Sequence, residues 1–223
     1  MPRTSCARRS PILRGTIEVA LRRPRTDEEY RETLAVASRE IDRLCRLADD
    51  LLTLSRADVG RLAHRPVPCD ATAIVAEAVA ACGDRATTHG IRITCSTNAH
   101  APVTIVADAD RVRQVLDNLL DNGLRYAPPG STVSVAVSGG NGAVRISVTD
   151  RGPGLTPEQQ AHVFERFYRA DDARARSSGG SGLGLAIAKA IADAHHGTLT
   201  VRSTPGAGAT FELTLPRTPP AGG

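Results

Sequence analysis

The sequence predicts an α+β fold, in which an antiparallel helical hairpin precedes a two-layer α/β sandwich. Two amphipathic helical patterns separated at Pro24 come first, and strand-like and helical segments then mix without strict strand–helix alternation. Hydrophobic residues make up 41% of the chain and aromatic residues 3%, so the expected core is aliphatic. The predicted boundaries are an aberrant N-terminus at 1–11, the truncated hairpin at 12–58, a linker at 59–65, the sandwich at 66–217 and a loose tail at 218–223.

The second hairpin helix is predicted over about 27–57. Thr26 and Glu29 have the spacing of a capping box at its start. Its apolar positions form a seam with helical spacing: Leu34, Ile41, Leu44, Leu47, Leu51 and Leu54. Because two helices bury little of such a seam by themselves, we expect a homodimer through a four-helix bundle, weakened by the short first helix. Packing of the hairpin on its own second domain is the alternative.

The segments after residue 59 predict the order of elements in the sandwich. Gly60–Pro68 is expected to be a linker, and Asp70 to cap a helix of about 71–87. Gly139–Gly142 is expected to turn a β-hairpin. The predicted strands are Ile91–Thr97, Val103–Ala107, Val133–Ser138, Ala143–Thr149, Thr198–Arg202 and Ala209–Leu215, and the other helices are 110–126, Pro157–Phe164 and Leu183–His195.

Polar side chains recur on one face of the predicted helix 110–126. Asn118, Asn122 and Arg125 lie at positions i, i+4 and i+7. A carboxamide oxygen suits a hard cation such as Mg²⁺, and a guanidinium suits phosphate oxygens. A solvated polar face is the alternative interpretation of this helix taken alone.

Two glycine-rich segments follow that helix. Asp150 comes directly after a strand, where its carboxylate can accept a hydrogen bond from an exocyclic amine, and Gly152 and Gly154 let the backbone approach a flat ring. Residues 179–185, GGSGLGL, open a helix, as phosphate-binding loops do. The loop lacks the preceding strand of a dinucleotide motif and the Gly-Lys-Ser/Thr of a Walker loop.

Charge and cysteine content argue against several classes of protein. The net charge of +4 is dispersed, so no nucleic-acid-binding face is expected. No apolar run reaches 18 residues and no signal peptide is present, so the chain as written is expected to be cytoplasmic. Five cysteines without metal spacing indicate reduced thiols: Cys6, Cys45, Cys69, Cys82 and Cys95.

The chain resembles the sensor histidine kinases of two-component systems over about 12–217. Four segments match, in order, the N, G1, F and G2 boxes of that family: Asn118-x-x-x-Asn122, Asp150-x-Gly152-x-Gly154, Phe164-Glu-Arg-Phe167-Tyr-Arg169 and Gly180-x-Gly182-Leu-Gly184-Leu. The resemblance implies a dimerisation hairpin followed by a Bergerat-type ATP-binding domain. It implies ATP and Mg²⁺ as cofactors, a response regulator as partner, and inner-membrane anchoring of intact relatives through upstream segments.

The resemblance assigns roles to the helix 110–126. Asn122 matches the Mg²⁺ ligand and Asn118 lines the same phosphate site, while Arg125 and Tyr126 match the basic residue and the ring beside the nucleotide. Asn118 and Arg125 are therefore the expected catalytic residues. Related ATPases (gyrase, Hsp90, MutL and the anti-sigma serine kinases) place a general-base Glu at the position of Asn118. An amide cannot take a proton at neutral pH, which favours transfer to a neutral imidazole over hydrolysis or serine phosphorylation.

The resemblance also assigns the base pocket and the lid. Asp150 matches the carboxylate that binds the adenine amine, with Gly152 and Gly154 shaping the pocket. The arginine-bearing segment 166–181 matches the mobile ATP lid. The phosphate-side loop is matched by Gly180, Gly182, Leu183, Gly184 and Leu185.

The family's phosphoacceptor histidine is missing from the first helix. The six histidines lie elsewhere: His64, His89, His100, His162, His195 and His196. An alignment on Pro11 puts Cys6 in the acceptor position, and an alignment on residues 12–15 puts Thr4 there. Because the two alignments disagree, neither residue is a convincing acceptor.

A shifted reading frame is one explanation of residues 1–11. The family-like peptide Asp-Ala-Ser-His-Glu-Leu-Arg-Thr-Pro-Leu-Ala can be written in GC-rich codons that, when they are translated one base later, give Met-Pro-Arg-Thr-Ser-Cys-Ala-Arg-Arg-Ser-Pro, which is residues 1–11. The alternative is a genuine, divergent N-terminus.

The sequence leaves three functions to compare. The favoured one is a histidine kinase catalytic fragment that transfers the ATP γ-phosphoryl group to a histidine of a partner or of the intact form, and does not phosphorylate itself. The second is a non-catalytic ATP-binding and dimerisation module. A gyrase-like ATPase is disfavoured because its general base is missing.

Overall fold

The structure is a computed structural model that describes residues 10–22, 24, 26–59, 62, 65–97, 103–140, 142–170 and 181–218. The chain divides into two compact units between Leu51 and Leu52. The expected acceptor-position residues Thr4 and Cys6, and Gly180 of the glycine-rich loop, lie outside the described residues.

Two helices come first, α1 (Ser10–Leu21) and α2 (Asp27–Asp58). Helix α1 begins two residues earlier than the hydrophobic pattern predicted. The predicted capping box at the start of α2 is confirmed, because the Thr26 N–H donates to Glu29 Oε2 (2.9 Å) and the Glu29 N–H donates to Thr26 Oγ1 (3.3 Å). Both reciprocal bonds satisfy N–H groups that the first helical turn leaves without partners.

The apolar seam of α2 is largely uncovered in the single chain up to residue 51. Leu34, Ile41 and Leu51 are 67%, 48% and 42% exposed. Large apolar side chains at this exposure on one helix face are typical of a surface that another element covers.

The described residues of the second unit form seven strands in two sheets. The strands are β1 (Val67–Asp70), β2 (Arg92–Thr97), β3 (Thr104–Ala107), β4 (Thr132–Gly140), β5 (Ala143–Thr149), β6 (Thr198–Thr204) and β7 (Gly208–Pro216). The five-stranded sheet has the order β2-β4-β5-β7-β6, with β2 and β4 parallel and the other neighbours antiparallel. The predicted hairpin between β4 and β5 is confirmed.

Helices cover one face of this sheet, so the predicted two-layer α/β sandwich is confirmed. They are α3 (Ala71–Ala81), α4 (Gly83–Thr88), α5 (Ala109–Tyr126), α6 (Pro157–His162) and α7 (Gly184–Ala194). Helix α5 packs against both α3 and α7. It lies close to the sheet at Gly123, where a Cβ atom would be 3.2 Å from Val133 Cγ1.

Alternating residues of the central strands form the sheet side of the core. Val133, Val135 and Val137 of β4 are at most 2% exposed, as are Val144, Ile146 and Val148 of β5. The residues between them are polar or small and are not buried, so the other face of the sheet is solvated. The predicted stripe of α5 completes the core, because Val112, Val115, Leu116 and Leu119 are at most 1% exposed.

Two sequence expectations in this unit are wrong. The helix expected at 71–87 is two helices, because the chain turns at Cys82, whose N–H bonds back to the carbonyl groups of Val79 and Ala80. The predicted linker Gly60–Pro68 ends inside a strand, because β1 pairs antiparallel with β3 from Val67 onward. The pairing partner is 40 residues away (Val67 with Ala107), so no local pattern could reveal it.

No helix in the described part of the chain is both long enough and apolar enough to span a bilayer.

Asp70 is the cap that the sequence predicted, and it offers a test of this packing. Its Oδ1 accepts hydrogen bonds from the N–H of Thr72 (2.9 Å) and of Val103 (3.2 Å), and thus joins α3 to the start of β3. We expect Asp70→Ala to lower the free energy of unfolding by about 1–2 kcal/mol, measured by urea denaturation. Asp70→Asn keeps an acceptor oxygen in place and should lose less than half as much. Equal losses would show that the cap is not what stabilises this junction.

Candidate functional site

The two predicted carboxamides lie on α5 in the middle and the last third of the helix. Asn118 and Asn122 are both half-buried. Neither side chain makes a hydrogen bond to the described part of the chain. Half-buried amide oxygens without a protein partner are suited to bind an added polar group or a hard cation.

The start of α7 lies against Asn118. A Cβ atom on Gly184 would be 2.9 Å from Asn118 Oδ1 and 3.4 Å from its Cγ, which is closer than a side chain at this position allows. Leu183, fully buried, precedes the helix, and its N–H donates to Ser181 Oγ (3.3 Å). Leu185 lies in the first turn of α7 and is half-buried. The positive end of this helix therefore faces the carboxamide of α5.

The other end of α5 meets the turn that carries Asp150. A Cβ atom on Gly152 would be 2.9 Å from the Tyr126 carbonyl oxygen and 2.8 Å from Asp150 Oδ1. Asp150 is 7% exposed, and its Oδ1 accepts a hydrogen bond from the Gly152 N–H (2.7 Å). Burial raises the pKa of this carboxyl, and the Gly152 N–H only partly opposes the shift. Arg125 is exposed and Tyr126 is 46% exposed beside this turn.

Two glycines hold the Asp150 turn against the last β-hairpin. Gly154 has a φ of +70°, and a Cβ atom there would overlap the Thr204 carbonyl oxygen. Gly208 has a φ of +89°, and a Cβ atom there would overlap the carbonyl oxygen of Asp150 itself. Sequence reasoning did not identify Gly208, although the Gly206-x-Gly208 turn before β7 was a visible signal.

The segment Phe164–Arg169 is fixed to the start of the glycine-rich loop. Phe167 has a φ of +61°, and its N–H donates to the Gly182 carbonyl (2.9 Å). A Cβ atom on Gly182 would be 2.9 Å from the Phe167 Cα. Residues 171–180, most of the predicted lid, lie outside the described residues. Both terminal nitrogens of the Arg166 guanidinium donate hydrogen bonds to the Asp58 carboxylate, and this pairing lowers the pKa of Asp58.

A groove of about 780 Å³ lies elsewhere in this unit, along α7 and the end of α2. Leu54, Phe164, Arg166, Ala186 and Lys189 are among its lining residues. Phe164 and Arg166 belong to the F box and the start of the predicted lid, but none of the predicted residues of α5, the Asp150 turn or the glycine-rich loop lines the groove. The candidate site is therefore the open surface around α5, and this groove is a separate feature.

Comparison with known proteins identifies the family. Residues 107–219, half of the chain, match the model of the histidine kinase-, DNA gyrase B- and HSP90-like ATPases. The chain belongs to this ATPase family. The matched residues of this histidine kinase-like ATPase include α5, the Asp150 turn and α7, which are the elements that form the candidate site.

Its relatives are named as sensor kinases. The chain is 36% identical over 185 residues to the signal transduction histidine-protein kinase BaeS of Escherichia coli (strain K12), and the match covers 83% of this chain and 39% of BaeS. It is 40% identical over 177 residues to the sensor-like histidine kinase SenX3 of Mycobacterium tuberculosis (strain ATCC 25618 / H37Rv), covering 79% of this chain and 43% of SenX3. The chain thus spans about two fifths of the length of these curated relatives.

Solved structures agree with this assignment. Full-length ShkA in complex with AMPPNP matches with a TM-score of 0.76 and 30% identity, over 98% of this chain and 45% of the ShkA chain. The sequence-based recognition of a histidine kinase-type ATPase is therefore confirmed.

Two loop glycines of this chain offer a matched test of how closely the backbone packs at the Asp150 turn. Gly154 and Gly206 both have positive φ, but a Cβ atom on Gly206 would meet nothing within 4 Å. Gly206→Ala should cost about 1–2 kcal/mol of unfolding free energy through its φ alone. Gly154→Ala should cost at least about 2 kcal/mol more, because its Cβ displaces the backbone of Thr204. Thermal and urea unfolding measure both, and equal costs would exclude the close approach.

Proposed function

We propose that this chain binds Mg²⁺·ATP around α5 and transfers the γ-phosphoryl group to a histidine in a two-component signalling system. The supporting observation is a continuous line of contacts. Gly184 lies on Asn118 at one point of α5, and Tyr126, at the end of the same helix, lies on the turn of Asp150 and Gly152. Side chains suited to bind a phosphate, a cation and the nucleotide base thus lie on α5 or on the turn next to its end.

Asp150 is proposed to select the adenine. A buried carboxylate that already holds the Gly152 N–H keeps a second oxygen for the exocyclic amine of the base. Gly152, Gly154 and Gly208 let the neighbouring backbone pack tightly around Asp150, which fixes the position of the carboxylate. Among the relatives, ShkA has been solved with AMPPNP, an adenine nucleotide analogue, which supports this choice of ligand.

Asn122 is proposed to hold Mg²⁺, with Asn118 and the N–H groups at the start of α7 on the phosphates. The half-buried amide oxygens, which have no hydrogen-bond partner among the described residues, fit a hard cation, and the start of α7 beside Asn118 fits a phosphate at a helix N-terminus. A bound Mg²⁺ would neutralise developing phosphate charge. Arg125, exposed at the end of α5, is available to a phosphate or to the acceptor.

The acceptor is proposed to be a histidine supplied in trans or by a longer form of the protein. An amide at position 118 cannot act as a general base, whereas a neutral imidazole nitrogen attacks phosphorus without one. In the transfer the bond from the γ-phosphorus to the bridging oxygen of ADP breaks, and a phosphorus–nitrogen bond forms. The phosphoryl group would then pass to an aspartate of a response regulator.

Dimerisation through α2 is part of the proposal. The exposed seam at Leu34, Ile41 and Leu51 supports it, because a second hairpin would cover these side chains.

Asp150→Asn separates nucleotide recognition from stability. A raised folded-state pKa means that the charged carboxylate is disfavoured by folding at neutral pH, so removing the charge should leave the free energy of unfolding unchanged or slightly higher. ATP affinity, measured by calorimetry, should fall roughly 10–100-fold, because a charge-assisted hydrogen bond is lost. Affinity of the unmodified chain should weaken on acidification at a pH above that of an ordinary aspartate.

Asp84→Asn, at an exposed position of α4, is the matched control and should leave ATP affinity unchanged. Retained affinity in Asp150→Asn, or an unfolded Asp150→Asn protein, would contradict the assigned role.

Phosphotransfer in trans tests the reaction itself. We expect γ-labelled ATP with Mg²⁺ to label a separate histidine-bearing kinase hairpin only when this chain is present, and the label to be acid-labile and base-stable, as phosphohistidine is. Asn122→Ala should abolish labelling, and so should chelation of Mg²⁺. The control variant Gly83→Ala, at a position where an added Cβ atom meets nothing within 4 Å, should retain labelling. Tight ATP binding without label on any hairpin would instead favour a non-catalytic nucleotide-binding module.

A further inference from the structure

The neighbouring residues His195 and His196, at the end of α7, have different surroundings. His195 is 7% exposed, whereas His196 is exposed. His195 Nδ1 lies 2.8 Å from the Ile191 carbonyl oxygen, and the Asp108 N–H donates to His195 Nε2 at 3.1 Å. A carbonyl oxygen only accepts and a backbone N–H only donates, so both contacts together require a neutral ring with its proton on Nδ1.

Asp108 is the N-cap residue of α5. Its Oδ1 accepts from the Arg111 N–H (3.1 Å) and its Oδ2 from the Arg65 N–H (2.8 Å). Burial alone would raise the pKa of Asp108, but the N–H groups of Arg65 and Arg111, together with neighbouring positive charge, chiefly that of Arg111, outweigh it and lower that pKa. The bond to His195 therefore joins the last turn of α7 to a helix start that is already fixed on its other sides.

Two of the contacts between α5 and α7 lie at the two ends of α7. His195 holds Asp108, just before the start of α5, and Gly184 lies on Asn118, in the middle of α5. From Asp108 to Asn118 is about 15 Å along a helix, and from His195 back to Gly184 is about 16 Å. The two helices therefore run antiparallel, and the spacing between the two contacts is nearly the same along each helix.

We propose that His195 is a positioning residue for the nucleotide site: through its acceptor bond to the Asp108 N–H it sets how α7 lies along α5, and so the place of the Gly184 turn over Asn118. The effect on nucleotide affinity rests on the proposed function. The effect on Asn118 itself does not, because it is a property of the chain without ligand.

Two substitutions separate the acceptor bond from the rest of the side chain. His195→Gln carries an oxygen at the position of Nε2 and can still accept from Asp108. His195→Asn ends at the position of Nδ1, so it keeps the contact with the Ile191 carbonyl but cannot reach Asp108. Both are neutral and remove the ring, so they share the loss of packing. His196→Asn makes the same change at the exposed neighbour, where φ is +55° and asparagine is well tolerated.

The first measurement is made without nucleotide, by NMR on the full chain. We expect the ring ¹⁵N shifts of His195 to show a proton on Nδ1 and a bare Nε2. The side-chain amide signals of Asn118 and the amide signal of Gly184 should move in His195→Asn, and should stay near their original positions in His195→Gln and His196→Asn. The opposite ring tautomer, or equal movement in the Gln and Asn variants, would overturn the proposal.

The second measurement is the affinity for AMPPNP with Mg²⁺, at a temperature where urea unfolding shows all variants to be folded. His195→Asn should bind roughly 5–10-fold more weakly, the effect of one hydrogen bond of ordinary strength, and His195→Gln within about twofold of the unmodified chain. Unchanged affinity in His195→Asn would show that His195 contributes to stability only and does not position the nucleotide site. Absence of AMPPNP binding by the unmodified chain would contradict the proposed function, while the NMR result still decides the role of His195.

Discussion

The packing of α7 on α5 is the interaction on which the rest of the site depends. It places a helix N-terminus against a carboxamide that has no partner among the described residues, where a Cβ atom at position 184 would be 2.9 Å from Asn118 Oδ1. The contact brings a glycine of one helix onto a half-buried polar residue of the other, beside the apolar stripe of α5. A polar side chain without a partner among the described residues departs from the pattern of a purely structural contact, and such departures are typical of functional positions.

The same logic applies at Asp150. A carboxylate that is 7% exposed is an unfavourable group for stability, because the backbone hydrogen bonds that it accepts do not offset its burial, and the rise in its pKa expresses that cost. The surrounding backbone is nevertheless built around it, since glycines at 152 and 208 allow Tyr126 and the last β-hairpin to approach it closely. Buried charge and tight backbone at one turn are typical of a binding site, because stability alone would favour neither.

The two units differ in how fully their apolar side chains are buried. The sandwich has a continuous aliphatic core between sheet and helices, whereas α2 exposes large apolar side chains up to Leu51. The sandwich therefore has the burial of an independently stable domain. The uncovered seam of α2 is the surface on which assembly with a second chain would add most to stability.

The sequence by itself determined the elements and the chemistry they carry. Helical spacing identified the buried stripe of α5 and its polar face, capping residues identified the starts of α2 and α3, and four boxes in order identified the family. These signals are local, because each depends on residues within one or two helical turns or one strand. The pairing of β1 with β3, the division of the helix at Cys82 and the approach of Gly208 to Asp150 were decided only by the tertiary structure. So was the bond between His195 and Asp108, 87 residues apart. Apart from the turn at Cys82, which is local, each of these depends on a contact between distant parts of the chain, and a single sequence does not show which distant residue is the partner.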